Sequence, residues 1–232
     1  MSLTNKSPSY KYLDVLTAFF AAVLVISNIA SSAKIVDLGF SFFSIPMAFD
    51  GGTLLFPLVY ILGDVLTEVY GFKAARRVIW TGFGVLALSA LVFFLLRVLP
   101  GEATWEAQAG NVAYNAILGG MSSGGLVLAS LTAYLAGEFS NSVLLSLLKV
   151  RMKGKMFWVR AIGSSVVGQL LDSFIFISIA SLFGVFPWSL FWSLVLTNYF
   201  LKLSIEVIFL PASYRIVHML KKKEGADVYG FN

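Results

Sequence analysis

The stretch FPLVYILGDVLTEVYGFKAARR, residues 56–77, decides how this chain is read. It opens as a membrane span does, on uncharged residues, and then sets Asp64 and Glu68 four apart. That spacing puts both carboxylates on one face of a helix. An ionisable side chain near the middle of a bilayer costs about 2.5 kcal/mol or more. Such a pair is expected to face the interior of a helical bundle and to act there.

The rest of the chain has the same character. Of 232 residues, 58% are hydrophobic and 12% are charged. A soluble domain carries about 25% charged residues. With a mean hydropathy of +0.85, the expected class is an all-α polytopic membrane protein. The net charge of +5 raises the question of nucleic acid. The basic residues sit in short loops rather than on one soluble face, so no such partner is expected. There is no cysteine, and the one histidine, His218, follows the last apolar stretch in a Lys-rich tail. Disulfides, thiolate nucleophiles, His-based metal sites and Ser–His or Cys–His catalysis are thereby disfavoured. No catalytic residue, metal or cofactor is expected. The opening MSLTNKSPSYKYLD lacks the small-residue cleavage site of a signal peptide and reads into a retained first helix.

A helix needs about 20 apolar residues to cross the hydrocarbon core. Six segments qualify, at residues 12–33, 52–70, 74–96, 125–150, 157–183 and 188–213, forming a single domain over residues 1–232. Basic residues set the orientation. Lys6, Lys11, Lys73, Arg76, Arg77, Lys149, Arg151, Lys153, Lys155, Arg160, Arg215 and Lys221 to Lys223 fall on one side, fourteen in all. Only Lys34 and Arg97 fall on the other. Both termini are therefore expected in the cytoplasm. Of the outer loops, residues 34–52 show partial alternation with Pro46, Gly51 and Gly52 as breakers, which predicts a β-hairpin or re-entrant lid. Residues 101–121 read as a short amphipathic surface helix. No internal repeat is visible, which argues against an inverted-repeat architecture.

Polar residues within the spans fall in helical register. Tyr134, Glu138 and Asn141 share a face, as do Ser165, Gln169 and Asp172, and then Asn198, Lys202 and Glu206, with Asn28 in the outer half of the first helix. Asp14 sits at the first helix's cytoplasmic end and is expected to be solvated. A common central cavity accommodates all these stripes. Five acids (Asp64, Glu68, Glu138, Asp172, Glu206) face one base, Lys202, and a buried carboxylate lacking a partner tends to become neutral. Either a cationic substrate or protons balance them, and both point to transport. Structural alternatives stay open: Glu68 pairing with Lys73 or Arg77, and Lys202 with Glu206 as a buried ion pair. Ala18 and Ala22 form a small-xxx-small pair that suits a partner helix or a second copy of the chain.

FPLVYILGDVLTEVYGFKAARRVIW, together with AGEFSNSVLLSLLKV and GKMFWVRAIGSSVVGQLLDSFIF, resembles the queuosine precursor transporter family, also called the vitamin uptake transporter family. These blocks cover the second helix and most of residues 136–176; an apolar span ending in D-x-x-x-E-V-Y-G is specific. The resemblance implies a six-helix importer, in the bacterial cytoplasmic membrane, of 7-cyano-7-deazaguanine or its 7-aminomethyl relative. It also implies a fold like the substrate-binding subunits of energy-coupling-factor transporters, without that ATPase.

The residues suit such a ligand. A guanine-type edge offers a ring N–H and an amine to one carboxylate, for which Glu138 or Asp172 is expected, supported by Gln169, Asn141, Asn28 and Asn198. Phe56, Tyr60, Phe139, Phe174 and Tyr199 are candidates to stack on its faces. Asp64, Glu68, Lys202 and Glu206 are assigned to an inner gate or proton path. The alternatives are a binding subunit dependent on a partner ATPase, or a membrane-embedded enzyme restricted to carboxylates.

Overall fold

The computed structural model describes residues 10–42 and 45–230, with the side chains of Phe42, Ile45 and Pro46 excepted. Lys6 and positions 43 and 44 of the expected hairpin lie outside the described residues. These residues form helices α1 (Leu13–Ala33), α2 (Phe56–Val98), α3 (Ala103–Gln108), α4 (Gly110–Ser122), α5 (Gly124–Arg151), α6 (Phe157–Leu182) and α7 (Phe191–Glu224). Strands β1 (Ile35–Phe42) and β2 (Ile45–Asp50) pair between α1 and α2.

Among the described residues, five helical segments are long and apolar enough to cross a membrane: Leu13–Ala33, Phe56–Val98, Gly110–Arg151, Phe157–Leu182 and Trp188–Glu224. The sequence led us to expect six, and the difference lies in α2. The expected spans 52–70 and 74–96 are two limbs of this one 43-residue helix. A straight helix of that length would reach about 65 Å, roughly twice the hydrocarbon core. Helical geometry breaks at Gly71, with φ 81° and ψ 170°, a conformation that in practice only glycine adopts. One residue thus does the work of a loop, which is why no linker separates the limbs.

Two other boundaries move. Helix α7 does not stop near Ser213 but continues to Glu224, with Pro211 inside it. A proline removes one backbone hydrogen bond, a loss that helices of membrane proteins can absorb. Gly225, at φ 61°, ends it, as glycine does at helix C-termini. The expected surface helix over 101–121 is two helices turning at Gly110, φ 61°. Glu102 caps the exposed α3 by accepting from the backbone of Thr104 and Trp105, both at 2.9 Å. Those hydrogen bonds hold its carboxyl below the usual range. Helix α4 packs inward: Tyr114 donates to Phe93 O at 2.7 Å, and Ser32 of α1 donates to Ile117 O at 2.9 Å.

The hairpin reading of residues 34–52 holds. The strands are antiparallel, pairing Ile35 with Asp50 and Val36 with Phe49. The register shifts between Asp37 and Ser41, around Gly39 at φ 75°, a bulge that explains why the alternation was only partial.

Helices α5 and α6 approach through glycines. A Cβ on Gly137 would lie 2.8 Å from Asp172 Cβ, and one on Gly168 would lie 2.9 Å from Asn141 Cβ and 3.1 Å from Tyr60 Cε1. Small residues let helices without an aqueous driving force pack backbone to backbone. Here they also press Tyr60 of α2 against the α5–α6 crossing. Val15, Phe19, Leu88, Phe94 and Ile208 face outward, and Ala18 and Ala22 lie exposed on the same side of α1. One end of the bundle carries the hairpin; the other carries the basic loops.

Candidate functional site

Two adjoining hollows lie at the hairpin end, each about 10 Å³, room for about one water molecule. They share Ser31, Ser130 and Phe176. The first reaches Asn28, whose side chain donates to Leu24 O at 2.9 Å and accepts from Ser130. The second is walled by Phe56 and Phe176 and lined by Asp50, Asp172 and Lys202. Lys202 donates to Asp172 Oδ2 at 2.7 Å and sits 4.6 Å from the centre of the Phe56 ring. Asp50, where the hairpin enters the bundle, accepts from Gly52 N at 3.1 Å, Thr53 Oγ1 at 3.0 Å and Asn198 Nδ2 at 2.9 Å.

Below the hollows the acids gather around Tyr60. Its hydroxyl is buried without a hydrogen-bond partner among the described residues, and Asp172, Glu138, Glu206 and Asp64 are all its electrostatic neighbours. Asp64 accepts from Asn141 Nδ2 at 2.7 Å, and Ser165 donates to Asn141 Oδ1 at 3.4 Å. Gln169 donates to Glu206 at 2.5 Å. Glu138 differs from the rest. It is 1% exposed, and neither carboxyl oxygen has a hydrogen-bond partner among the described residues. Gly63 on α2 makes the space for it: a Cβ there would lie 2.7 Å from Glu138 Oε2. Gln169 Oε1, Ser173 Oγ and Glu206 Oε1 are also buried without partners among the described residues. Buried polar groups are ordinarily satisfied, so a cluster of unsatisfied ones marks a place that another molecule or a proton can complete.

At the basic end, Glu68 is the hub of an ion cluster. Arg160 donates to both its oxygens, at 2.5 and 3.2 Å, and Lys221 donates to Oε1 at 2.6 Å. Lys149 lies 3.6 Å from Oε1 and donates to Glu68 O, to Asp227 Oδ1 and to Val228 O. Residues after Gly225 fold back over this cluster. Val228 donates to Val69 O at 3.3 Å, and Ser146 donates to Gly230 O at 2.9 Å. Burial works against the Asp227 charge, but hydrogen bonds from Lys149 and Lys221 outweigh it and hold the carboxyl below its usual range. Tyr70, two residues after Glu68, donates to Glu224 at 2.9 Å, and Glu224 also accepts from the backbone of Lys11 and Tyr12 at the start of α1.

The structure therefore brings Asp64, Glu138, Asp172, Gln169, Asn141, Tyr60, Phe56, Lys202 and Glu206 into one interior. Asn28 and Asn198 border it at the hairpin end, and Glu68 stands apart in the ion cluster. Two partnerships and one burial differ from expectation. Glu68 pairs with Arg160, Lys221 and Lys149; Lys73 and Arg77 are exposed. Lys202 pairs with Asp172 rather than Glu206. Lys149 and Arg160, counted as loop cations, are buried at 1% and 0% exposure. Of the stacking candidates, Phe139 packs on Phe72 and Trp80, Phe174 on Phe191 and Tyr199 on Phe200, none of them lining the hollows. Asp50, Ser130 and Phe176 were missed. The Gly51–Gly52 pair after Asp50 made it look like a loop charge, and the one available signal was its place at the join of hairpin and helix.

Apolar spans around a polar interior define an integral membrane protein with the architecture of a small-molecule transporter. The chain belongs to the family described as "Putative vitamin uptake transporter", whose model matches residues 50–216. It is 28% identical over 177 residues to the "Probable queuosine precursor transporter" of Bacillus subtilis (strain 168), covering 76% of this chain and 75% of that protein. Against the "Queuosine precursor transporter" of Escherichia coli (strain K12) the identity is 23% over 232 residues, covering 98% and 96%. A Haemophilus influenzae protein, named "Probable queuosine precursor transporter", is 26% identical over 175 residues, covering 74% and 70%. No solved structure matches the chain.

Proposed function

We propose that this protein imports queuosine precursors, the 7-deazaguanine bases, across the bacterial cytoplasmic membrane, as the names of its relatives suggest. In this reading the two limbs of α2 cross separately, giving six crossings, and the basic end is cytoplasmic. The hollows at the hairpin end then open toward the outside. The observation that carries the reading is Glu138: a buried carboxyl whose two oxygens have no partner among the described residues, with Tyr60 as an electrostatic neighbour. A guanine-type edge supplies two parallel donors to such a group. Asp172, the other candidate, already holds Lys202 and is the weaker one.

Proton coupling follows from the same interior. Among the described residues no cation lies within ion-pair distance of Asp64, Glu138 or Glu206. Intramembrane acids so placed serve as proton relays in transporters. The exposed Ala18 and Ala22 favour a second reading, in which a partner docks on α1 and the chain is a binding subunit. Uptake of radiolabelled 7-cyano-7-deazaguanine by proteoliposomes holding this chain alone tests both. Accumulation driven by an inward proton gradient and abolished by a protonophore supports the importer. Binding without accumulation supports the subunit.

A further inference from the structure

The hollow walled by Phe56 and Phe176 has an uneven charge balance. Two carboxylates, Asp50 and Asp172, line it with one ammonium, Lys202. Lys202 is bound to Asp172. Among the described residues no cation lies within ion-pair distance of Asp50, which is 3% exposed. Its partners, the Gly52 N–H, the Thr53 hydroxyl and the Asn198 amide, are neutral. They orient the carboxylate without cancelling its charge. The local structure does not require that charge, since asparagine caps a turn as well as aspartate does. A buried charge is compensated in a stable state, and here no cation among the described residues supplies that compensation.

We infer that Asp50 is a specificity-determining residue that receives a cationic arm of the ligand. The chamber then favours a purine-like base bearing a protonated amine over the same base with a neutral substituent. With the amine in place, two carboxylates face two ammonium groups and the hollow is neutral. A nitrile in the same position leaves one buried charge unmatched. To seat the ring, Phe56 and Phe176 must part, because the hollow between them measures about 10 Å³; the guanine edge then turns toward Glu138. This rests on the reading of the chamber as the precursor site.

The test is calorimetric titration of the purified full-length protein with 7-aminomethyl-7-deazaguanine and with 7-cyano-7-deazaguanine, which share the edge and differ in the arm. Wild type is expected to bind the amine about tenfold or more tightly. Asp50→Asn should bring the two affinities to within about twofold by weakening the amine alone. Asp50→Glu should keep the preference. Equal affinities in wild type, or a preference unchanged in Asp50→Asn, overturns the inference. Loss of both ligands by Asp50→Asn gives the residue a structural part and also overturns it. If wild type binds neither base, the importer reading itself fails, a result distinct from binding without preference.

Discussion

Arg160 grips the Glu68 carboxylate through both terminal guanidinium nitrogens, at 2.5 and 3.2 Å, with both side chains buried. This divides the labour of the D-x-x-x-E-V-Y-G motif. Asp64 faces the polar interior through Asn141, while Glu68 fastens α2 to α5, α6 and α7 at the basic end. Removing one partner of a buried pair leaves the other charge uncompensated, a loss of about 3–5 kcal/mol. Glu68→Gln and Arg160→Met should each lower thermal stability in detergent by that order. Lys73→Ala and Arg77→Ala, at exposed positions, should stay within about 0.5 kcal/mol of wild type.

The folded-back tail gives a pH signature. The Asp227 carboxyl is held below its usual range in the folded protein. Its stabilising contribution is therefore complete above the unfolded value of about 3.9 and is lost as pH falls through the lower, folded value. The stability difference between wild type and Asp227→Asn should be present at pH 7 and vanish under strong acid, read by thermal unfolding. The chain has no cysteine, so a single Ser146→Cys reports directly on the tail that covers it. Asp227→Asn should raise its labelling by a thiol reagent at pH 7.

Gly71 provides a purely conformational test. Its φ of 81° and ψ of 170° cost a residue with a Cβ about 1–3 kcal/mol. Gly71→Ala should be destabilised by that much without touching any polar contact. Equal stability to wild type would mean that the limbs of α2 are not joined in this way.

Under the proposed proton coupling, transport and recognition should separate. Asp64→Asn and Glu206→Gln should reduce proton-driven accumulation about tenfold or more, while equilibrium binding changes less than about threefold. Paired uptake and binding assays on the same preparations distinguish the two.

Much of this was legible because burial in a bilayer is written in composition. Glu138, Asp172, Gln169, Asn141 and Lys202 stand out in apolar helices, and their spacing alone turns them to one interior. Pairing across helices was not legible. Which cation meets Glu68 depends on the fold-back of residues after Gly225 and on the depth of Arg160, and both look like ordinary loop chemistry in the sequence. Lys202 could reach Glu206 one turn along its own helix, but it pairs at 2.7 Å with Asp172 of the neighbouring α6, a choice that spacing along one helix does not reveal. Asp50 escaped for a related reason: a residue beside two glycines reads as a turn until a helix is seen to cover it.

Equilibrium titration of the purified protein with 7-cyano-7-deazaguanine, wild type against Glu138→Gln, bears on everything above. A carboxylate accepting two donors from the ligand contributes about 1.5–3 kcal/mol through charge-assisted hydrogen bonds. Wild type should bind saturably, and Glu138→Gln should bind about ten- to a hundredfold more weakly with the fold intact. Undiminished affinity in Glu138→Gln would contradict the account.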